Sequence, residues 1–250
     1  MIKKVLVVID NMTQVLIFML RLILNVRQFP YKGMHGLRKN ILADCIILGN
    51  GPSLTDSLSD GAAFLRDKTV FCMGDFAVSQ QYGVIKPEFY LFIDPAHYSA
   101  NVSAEFKDLQ KSTLGALIAK TDWPLKVLTP LQAKKEGVLK KLERENKHIQ
   151  IVYFKNIETL GFKGFRNFVY KLNIGSPILQ NSLIAGIFFA LNIGFKTIYV
   201  LGADHSWLED TAVTDHNILC IKKGYHFFDQ EEVTLVPNKK DPNGAVFKMH

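Results

Sequence analysis

The chain is poor in cysteine, has no glycine- or proline-rich tract, and lacks the common fingerprints of nucleotide hydrolases and esterases. Each shortage removes a class of explanation. The three cysteines, Cys45, Cys72 and Cys220, are far apart, odd in number and free of Cys-x-x-Cys spacing, and two of them lie inside apolar runs. That excludes a disulfide-framed scaffold and a thiolate metal site, and leaves buried thiols in a reducing compartment. No His/Cys cluster has zinc spacing, and no Gly-x-Ser-x-Gly elbow points to a hydrolase. With 17 Gly and 9 Pro scattered over 250 residues and no repeat, little of the chain reads as disordered. What remains is an ordinary globular composition, 48% hydrophobic and 21% charged, long enough for one large domain or for one domain with an appendage.

Charge separates the appendage from the body. The first 40 residues hold Lys3, Lys4, Arg21, Arg27, Lys32, Arg38 and Lys39 against Asp10 alone, a net +6 of the chain's +7, which leaves +1 for the other 210 residues. The basic segment is also the most apolar one. This combination points to a membrane surface and away from nucleic acid as the partner. Over residues 10–28 the polar positions Asp10, Asn11, Gln14, Arg21, Asn25 and Gln28 recur at helical spacing, with Asp10 placed to cap the helix and Pro30 to end it. Arg21 near the middle of that stretch argues for a helix lying in the membrane plane over one that spans it. The alternative is a helix packed on the protein's own core or on a partner subunit.

In the body, short apolar runs stop at turn residues. Cys45-Ile46-Ile47-Leu48 stops at Gly49, Val70-Phe71-Cys72-Met73 at Gly74-Asp75, and Phe89-Tyr90-Leu91-Phe92-Ile93 at Asp94-Pro95. Lys126-Val127-Leu128 stops at Thr129-Pro130, Ile151-Val152-Tyr153 follows a charged helix, and Thr197-Ile198-Tyr199-Val200-Leu201 stops at Gly202-Ala203-Asp204. An apolar helix over 182–191 ends at Gly194. Strands alternating with helices predict an α/β fold with a mostly parallel, Rossmann-like sheet and helices on both faces. Ligands bind such sheets beyond the carboxyl ends of the strands, so Asn50, Ser53, Asp75, Asp94, Asp204 and His205 are the first candidates for chemistry.

The loop Gly49-Asn50-Gly51-Pro52-Ser53-Leu54 is neither a Walker loop nor a dinucleotide fingerprint, because no Gly-Lys-Ser/Thr follows and Leu54 stands where a third glycine would be. It offers close backbone approach at Gly49 and Gly51, an amide at Asn50, and a helix start at Pro52 that would favour phosphate. Its plain alternative is a capping box, Ser53 to Asp56, after a turn.

Three blocks carry a resemblance: this loop, the helix start Gln180-Asn181-Ser182-Leu183-Ile184-Ala185, and the strand end Leu201-Gly202-Ala203-Asp204-His205-Ser206-Trp207. Together they resemble the 6-hydroxymethylpterin diphosphokinase-like (MptE-like) family and the related bacterial sialyltransferases of capsule and lipooligosaccharide synthesis. The resemblance spans about residues 43–230. It implies that Asn50 and Ser182 contact the cytidine monophosphate (CMP) part of a nucleotide-sugar donor, with Gly49, Gly51, Pro52, Ser53, Asn181, Gly202 and Asp204 around it. Two positions depart from the sialyltransferase pattern: asparagines after the second and third strands are replaced by Gly74 and Asp94. An aspartate facing phosphate is unfavourable unless a cation or a sugar hydroxyl intervenes.

Transfer to a hydroxyl needs a base, and histidine, with an ordinary pKa near 6.5, suits the task. The resemblance places the family histidine after the Gly-x-Asp strand, which makes His226 the first candidate, with His205 and His216 behind it. Asp204 is open to three functional roles, binding a ribose hydroxyl, orienting a histidine or holding magnesium, and its plain alternative is a cap for the following turn.

The resulting organisation is a membrane-associating segment over 1–40 and a nucleotide-binding transferase domain over 43–250, with an acceptor-side lid at 207–236 and an ending that reads as cut short of further helices. The leading expectation is a glycosyltransferase that uses a CMP-linked donor to modify a surface polysaccharide or lipid-linked glycan. It would work from the cytoplasmic side, peripheral on the inner face of the cell membrane through residues 1–30. The first alternative is an MptE-like diphosphokinase that moves diphosphate from ATP to a pterin, with Asp75, Asp94 and Asp204 holding Mg2+. The second is a non-catalytic nucleotide-binding scaffold, for which Gly74 is the best support.

Overall fold

The computed structural model describes residues 2–24, 37, 43–155, 157–204, 211–213, 219–222 and 235–237. Its centre is a six-stranded, all-parallel sheet made of β1 (Asp44–Leu48), β2 (Thr69–Met73), β3 (Phe89–Leu91), β4 (Leu125–Pro130), β5 (Ile149–Phe154) and β6 (Thr197–Leu201). The spatial order is β5-β4-β3-β2-β1-β6. Each strand from β2 to β5 adds outward on one side of β1, and the last returns to β1's other edge, in register from Asp44 opposite Thr197 to Leu48 opposite Leu201. The expected α/β class and the parallel sheet are therefore observed.

Both faces of the sheet are covered because side chains alternate across each strand. Ile46 and Leu48 of β1, Val70 and Cys72 of β2 and Tyr90 of β3 point into one core. There they meet Leu54, Leu58 and Leu65 of α2 (Leu54–Leu65), and the core extends to Leu114 and Leu117 of α5 (Ala104–Lys120) and Leu142 of α7 (Lys140–Glu145). Cys45, Ile47, Phe71, Met73, Phe89 and Leu91 point the other way, into a core shared with Ala185, Phe189, Ala190 and Ile193 of α9 (Ser182–Ile193). Runs that are apolar on both faces belong to strands buried on both sides. Burial pushes the Cys72 thiol well above its ordinary range and, together with Asp44, pushes Cys45 up to about 12, which disfavours the thiolate at both. The short helices α3 (Tyr82–Ile85), α4 (Pro95–Tyr98) and α6 (Gln132–Glu136) fill the connections. Beyond β6, β7 (Thr211–Val213), β8 (Leu219–Lys222) and β9 (Leu235–Pro237) form a small antiparallel sheet that periodicity had not revealed.

The N-terminal helix differs from expectation. Helix α1 runs from Ile2 to Leu24, so Asp10 lies inside it and not at its cap, and Arg21 falls in its last turn. The apolar run Val5-Leu6-Val7-Val8-Ile9 contains no breaker, so the helix simply continues through it. At 23 residues and a mean hydropathy of 1.8 over its best window, α1 is long and apolar enough to cross a membrane. Its only buried residue is Phe18. That ring packs edge-on against Phe165 of α8 (Lys163–Lys171), 5.5 Å between centroids, in a small core with Ile157 and Val169. Phe18→Ala should remove most of this attachment, since truncating a buried phenylalanine costs about 3–5 kcal/mol. Tryptic cleavage at Arg21 is expected to become at least tenfold faster while the melting temperature of the sheet domain holds; equal cleavage rates would show that Phe18 is not the anchor.

Candidate functional site

Parallel strands deliver their carboxyl ends to one edge of the sheet, and the loops after β1, β2 and β3 meet there with the start of α9. They enclose a cavity of about 510 Å³ lined by Asn50, Gly74, Asp75, Asp94, His97, Asn181 and Ser182, with Ile93, Phe106 and Leu109 among its apolar wall residues. Asn50 and Ser182, paired only by resemblance at the level of sequence, thus share one cavity.

Asn50 sits just past β1 and donates from Nδ2 to the Met73 carbonyl at 3.1 Å, which fixes the orientation of its amide. Its Oδ1 is buried without a partner. A buried acceptor in that state carries a desolvation cost of about 1–3 kcal/mol that a ligand donor would relieve. On the far wall, Asn181 caps α9 by accepting the Ile184 amide at 2.9 Å. Ser182 and Leu183 then hold the remaining first-turn amides, at the positive end of a 12-residue helix. Helix α9 can lie this close because Gly186 faces Ile47 and Leu91, where even a Cβ would be 3.1 Å from both.

Gly74 has a φ of +57°, and a Cβ there would stand 2.9 Å from Asn50 Nδ2. A side chain at this position, where the resemblance puts an asparagine, would crowd the Asn50 amide. Asp75, 8% exposed, accepts a hydrogen bond from Thr113 Oγ1 at 2.6 Å, and His97 Nε2 lies 3.4 Å from the same Oδ1. The His97 ring stacks on Phe92 with 5.1 Å between centroids. Helix α5 holds both loops. Its Gln110 donates to the carbonyls of Ala96 and Ser99, and its Lys120 donates to those of Ala77, Val78 and Ser79. Tyr90 adds a bond to the Gly74 carbonyl at 2.7 Å.

Gly49, Gly51, Pro52, Ser53, Gly202 and Asp204 are not among the residues that line the cavity. Gly49 and Gly51 donate their amides to the carbonyls of Leu201 and Gly202, which seals β1 to β6. Asp204 Oδ2 accepts the Ser53 amide at 2.8 Å and so caps α2 from the segment that follows β6. The capping box is not formed: Ser53 is in helical conformation and makes no side-chain cap. Pro52 shapes the turn, its carbonyl accepting from the Thr55 amide. Asp94 lines the cavity while capping α4 through the Ala96 amide. Asp75, Asp94 and Asp204 thus have separate engagements, and among the described residues no three acidic, histidine or cysteine side chains are grouped to hold a metal ion. His205, His216 and His226 lie outside the described residues, as does most of the segment 207–236.

The residue that sequence reasoning missed is His97. Its signal was topological: β2 and β3 are neighbours, so a histidine in α4, the helix after β3, lies beside the aspartate in the loop after β2.

No family model matches the chain and no curated protein sequence matches it, so the likeness to the MptE-like and sialyltransferase families rests on the three motif blocks alone. Among solved structures the chain is similar to the MAf glycosyltransferase from Magnetospirillum magneticum AMB-1, at 15% identity and a TM-score of 0.44. The similarity covers 66% of this chain and 23% of that one. A likeness this distant says nothing of chemistry.

Proposed function

We propose that the chain is a glycosyltransferase that takes a CMP-linked sugar donor into the cavity between Asn50 and the start of α9. The observation that carries this reading is the unpartnered, buried Oδ1 of Asn50 facing the same space as the N-terminus of α9, where the Asn181 cap takes the Ile184 amide and leaves those of Ser182 and Leu183 for a ligand. The first asks for a donor such as an amino or hydroxyl group, the second for an anion, and a nucleotide supplies both. The volume falls in the usual range for small-molecule sites, about 300–1,000 Å³.

Helix α1 fits an enzyme whose acceptor lies in a membrane. Asn11 and Thr13 return their hydrogen bonds to the Val7 and Ile9 carbonyls, so the outward face is left apolar, from Val5 through Met12 and Leu16 to Leu20 and Ile23. Holding enzyme and lipid-linked acceptor on one surface raises their effective concentration. A magnesium-dependent diphosphokinase is supported less well, because its three candidate aspartates are each engaged elsewhere.

Titration calorimetry with CMP, UDP and ATP, each with and without magnesium, tests the reading. CMP is expected to bind without metal, and more tightly than ATP by at least tenfold. Binding that required magnesium and favoured ATP would transfer the assignment to the kinase, and no binding at all would leave a scaffold.

A further inference from the structure

The cavity holds a second polar feature that nucleotide binding does not use. Asp75 and His97 face each other across 3.4 Å on its floor, next to Gly74, and neither is placed there loosely. Thr113, itself 1% exposed, fixes the Asp75 carboxylate with a 2.6 Å hydrogen bond, while Phe92 and the α5-anchored loop fix the imidazole. The two sides of the ring differ. Nδ1 is buried with no partner, whereas Nε2 is the nitrogen near Asp75 and, at 3.9 Å, near the point where a Gly74 Cβ would be. The two described histidines are His97 and His148; His97 lines the cavity, and His148 precedes β5 at the opposite end of the sheet.

We propose that His97 is the general base of the transfer reaction, acting at Nε2, with Asp75 and Thr113 as its positioning residues. This rests on the glycosyltransferase reading above. In the step, the acceptor hydroxyl oxygen forms the new bond to the anomeric carbon of the donor sugar. The bond from that carbon to the phosphate oxygen breaks, and its electron pair leaves with CMP. The reacting ring is the neutral imidazole with its proton on Nδ1; the hydroxyl proton passes to the Nε2 lone pair, and the imidazolium so formed is offset by the Asp75 carboxylate, which Thr113 keeps in place. The proton goes to water once the products depart. With water in place of the acceptor, the same step is donor hydrolysis, which can be followed before the natural acceptor is identified.

The experiment uses the full chain, with CMP to read binding and CMP-sialic acid to read turnover. In wild type, CMP should bind and CMP-sialic acid should release CMP. In His97→Gln, CMP affinity should stay within about threefold while CMP release falls about a hundredfold, the usual scale for a lost general base. In His97→Ala, free imidazole should restore a measurable part of the rate, which a purely structural histidine would not allow. Asp75→Asn should slow release by at least about tenfold at unchanged CMP affinity, without rescue by imidazole. Melting curves confirm that each variant is folded, and His97→Gln stands in if the alanine variant is not. CMP release in folded His97→Gln within about threefold of wild type would overturn the proposal, as would an equal loss of CMP affinity and rate. Wild type that binds no CMP would overturn the glycosyltransferase reading itself, and the base with it.

Discussion

Gly49→Ala is expected to lower the melting temperature of the sheet domain by about 6–12 °C. The Gly49 amide donates to the Leu201 carbonyl at 2.8 Å and the Gly51 amide to the Gly202 carbonyl at 3.0 Å, so β1 and β6 are locked at their carboxyl ends. A Cβ on Gly49 would overlap the Gly202 carbonyl oxygen and lie 2.9 Å from the carbonyl carbon. Those atoms are backbone, so relief means parting the two strands. Overpacking of this kind costs about 3 kcal/mol, and each kcal/mol moves the midpoint of a domain this size by about 2–4 °C. Gly115→Ala is the control, because nothing lies within 4 Å of its Cβ position on α5. It should stabilise by up to about 1 kcal/mol through helix propensity. Thermal melts followed by circular dichroism compare the two, and a Gly49→Ala midpoint within about 2 °C of wild type would refute the account of the β1–β6 lock.

Gly74→Asn sets geometry against resemblance. The sialyltransferase pattern has asparagine after the second strand, so by resemblance alone the substitution would restore nucleotide contact. Here the opposite is expected. At a φ of +57° asparagine is tolerated better than most side chains, so the fold should survive. Its Cβ would nevertheless stand 2.9 Å from Asn50 Nδ2 and drive that amide off the Met73 carbonyl. Losing an oriented hydrogen-bonding group at a buried site costs about 2 kcal/mol, or about thirtyfold in affinity. Calorimetry with CMP reads the result directly. Tighter binding in Gly74→Asn would remove Asn50 from its assigned role.

Much of the sheet is legible from apolar runs that end at glycine or aspartate, because a strand covered on both faces tolerates few polar residues. Ser182 and Gly194 likewise mark the two ends of α9, the second by its left-handed conformation at φ +105°. Polar residues misled the reading where their partners are remote. Asp10 looks like a cap and lies mid-helix, since nothing before it breaks the helix. Ser53 and Asp56 have capping-box spacing, yet the cap comes from Asp204, past the end of β6. His97 has no local pattern at all. Its meaning arises only when β2 and β3 pair and bring Asp75 alongside, a contact that spacing along the chain does not encode.

The return of β6 to β1 also governs when the cavity comes into being. Strand β1 gains β2 almost at once during synthesis, but its other edge, the cap on α2 and the α9 wall wait for residues far downstream; Ser53 and Asp204 are 151 positions apart. Until that long loop closes, the emerging chain has a bare strand edge and only half of a ligand pocket. On the proposed function, nucleotide capture is therefore a late event, and a ligand present during refolding would favour the closing step over the misassembled alternatives that an open edge invites.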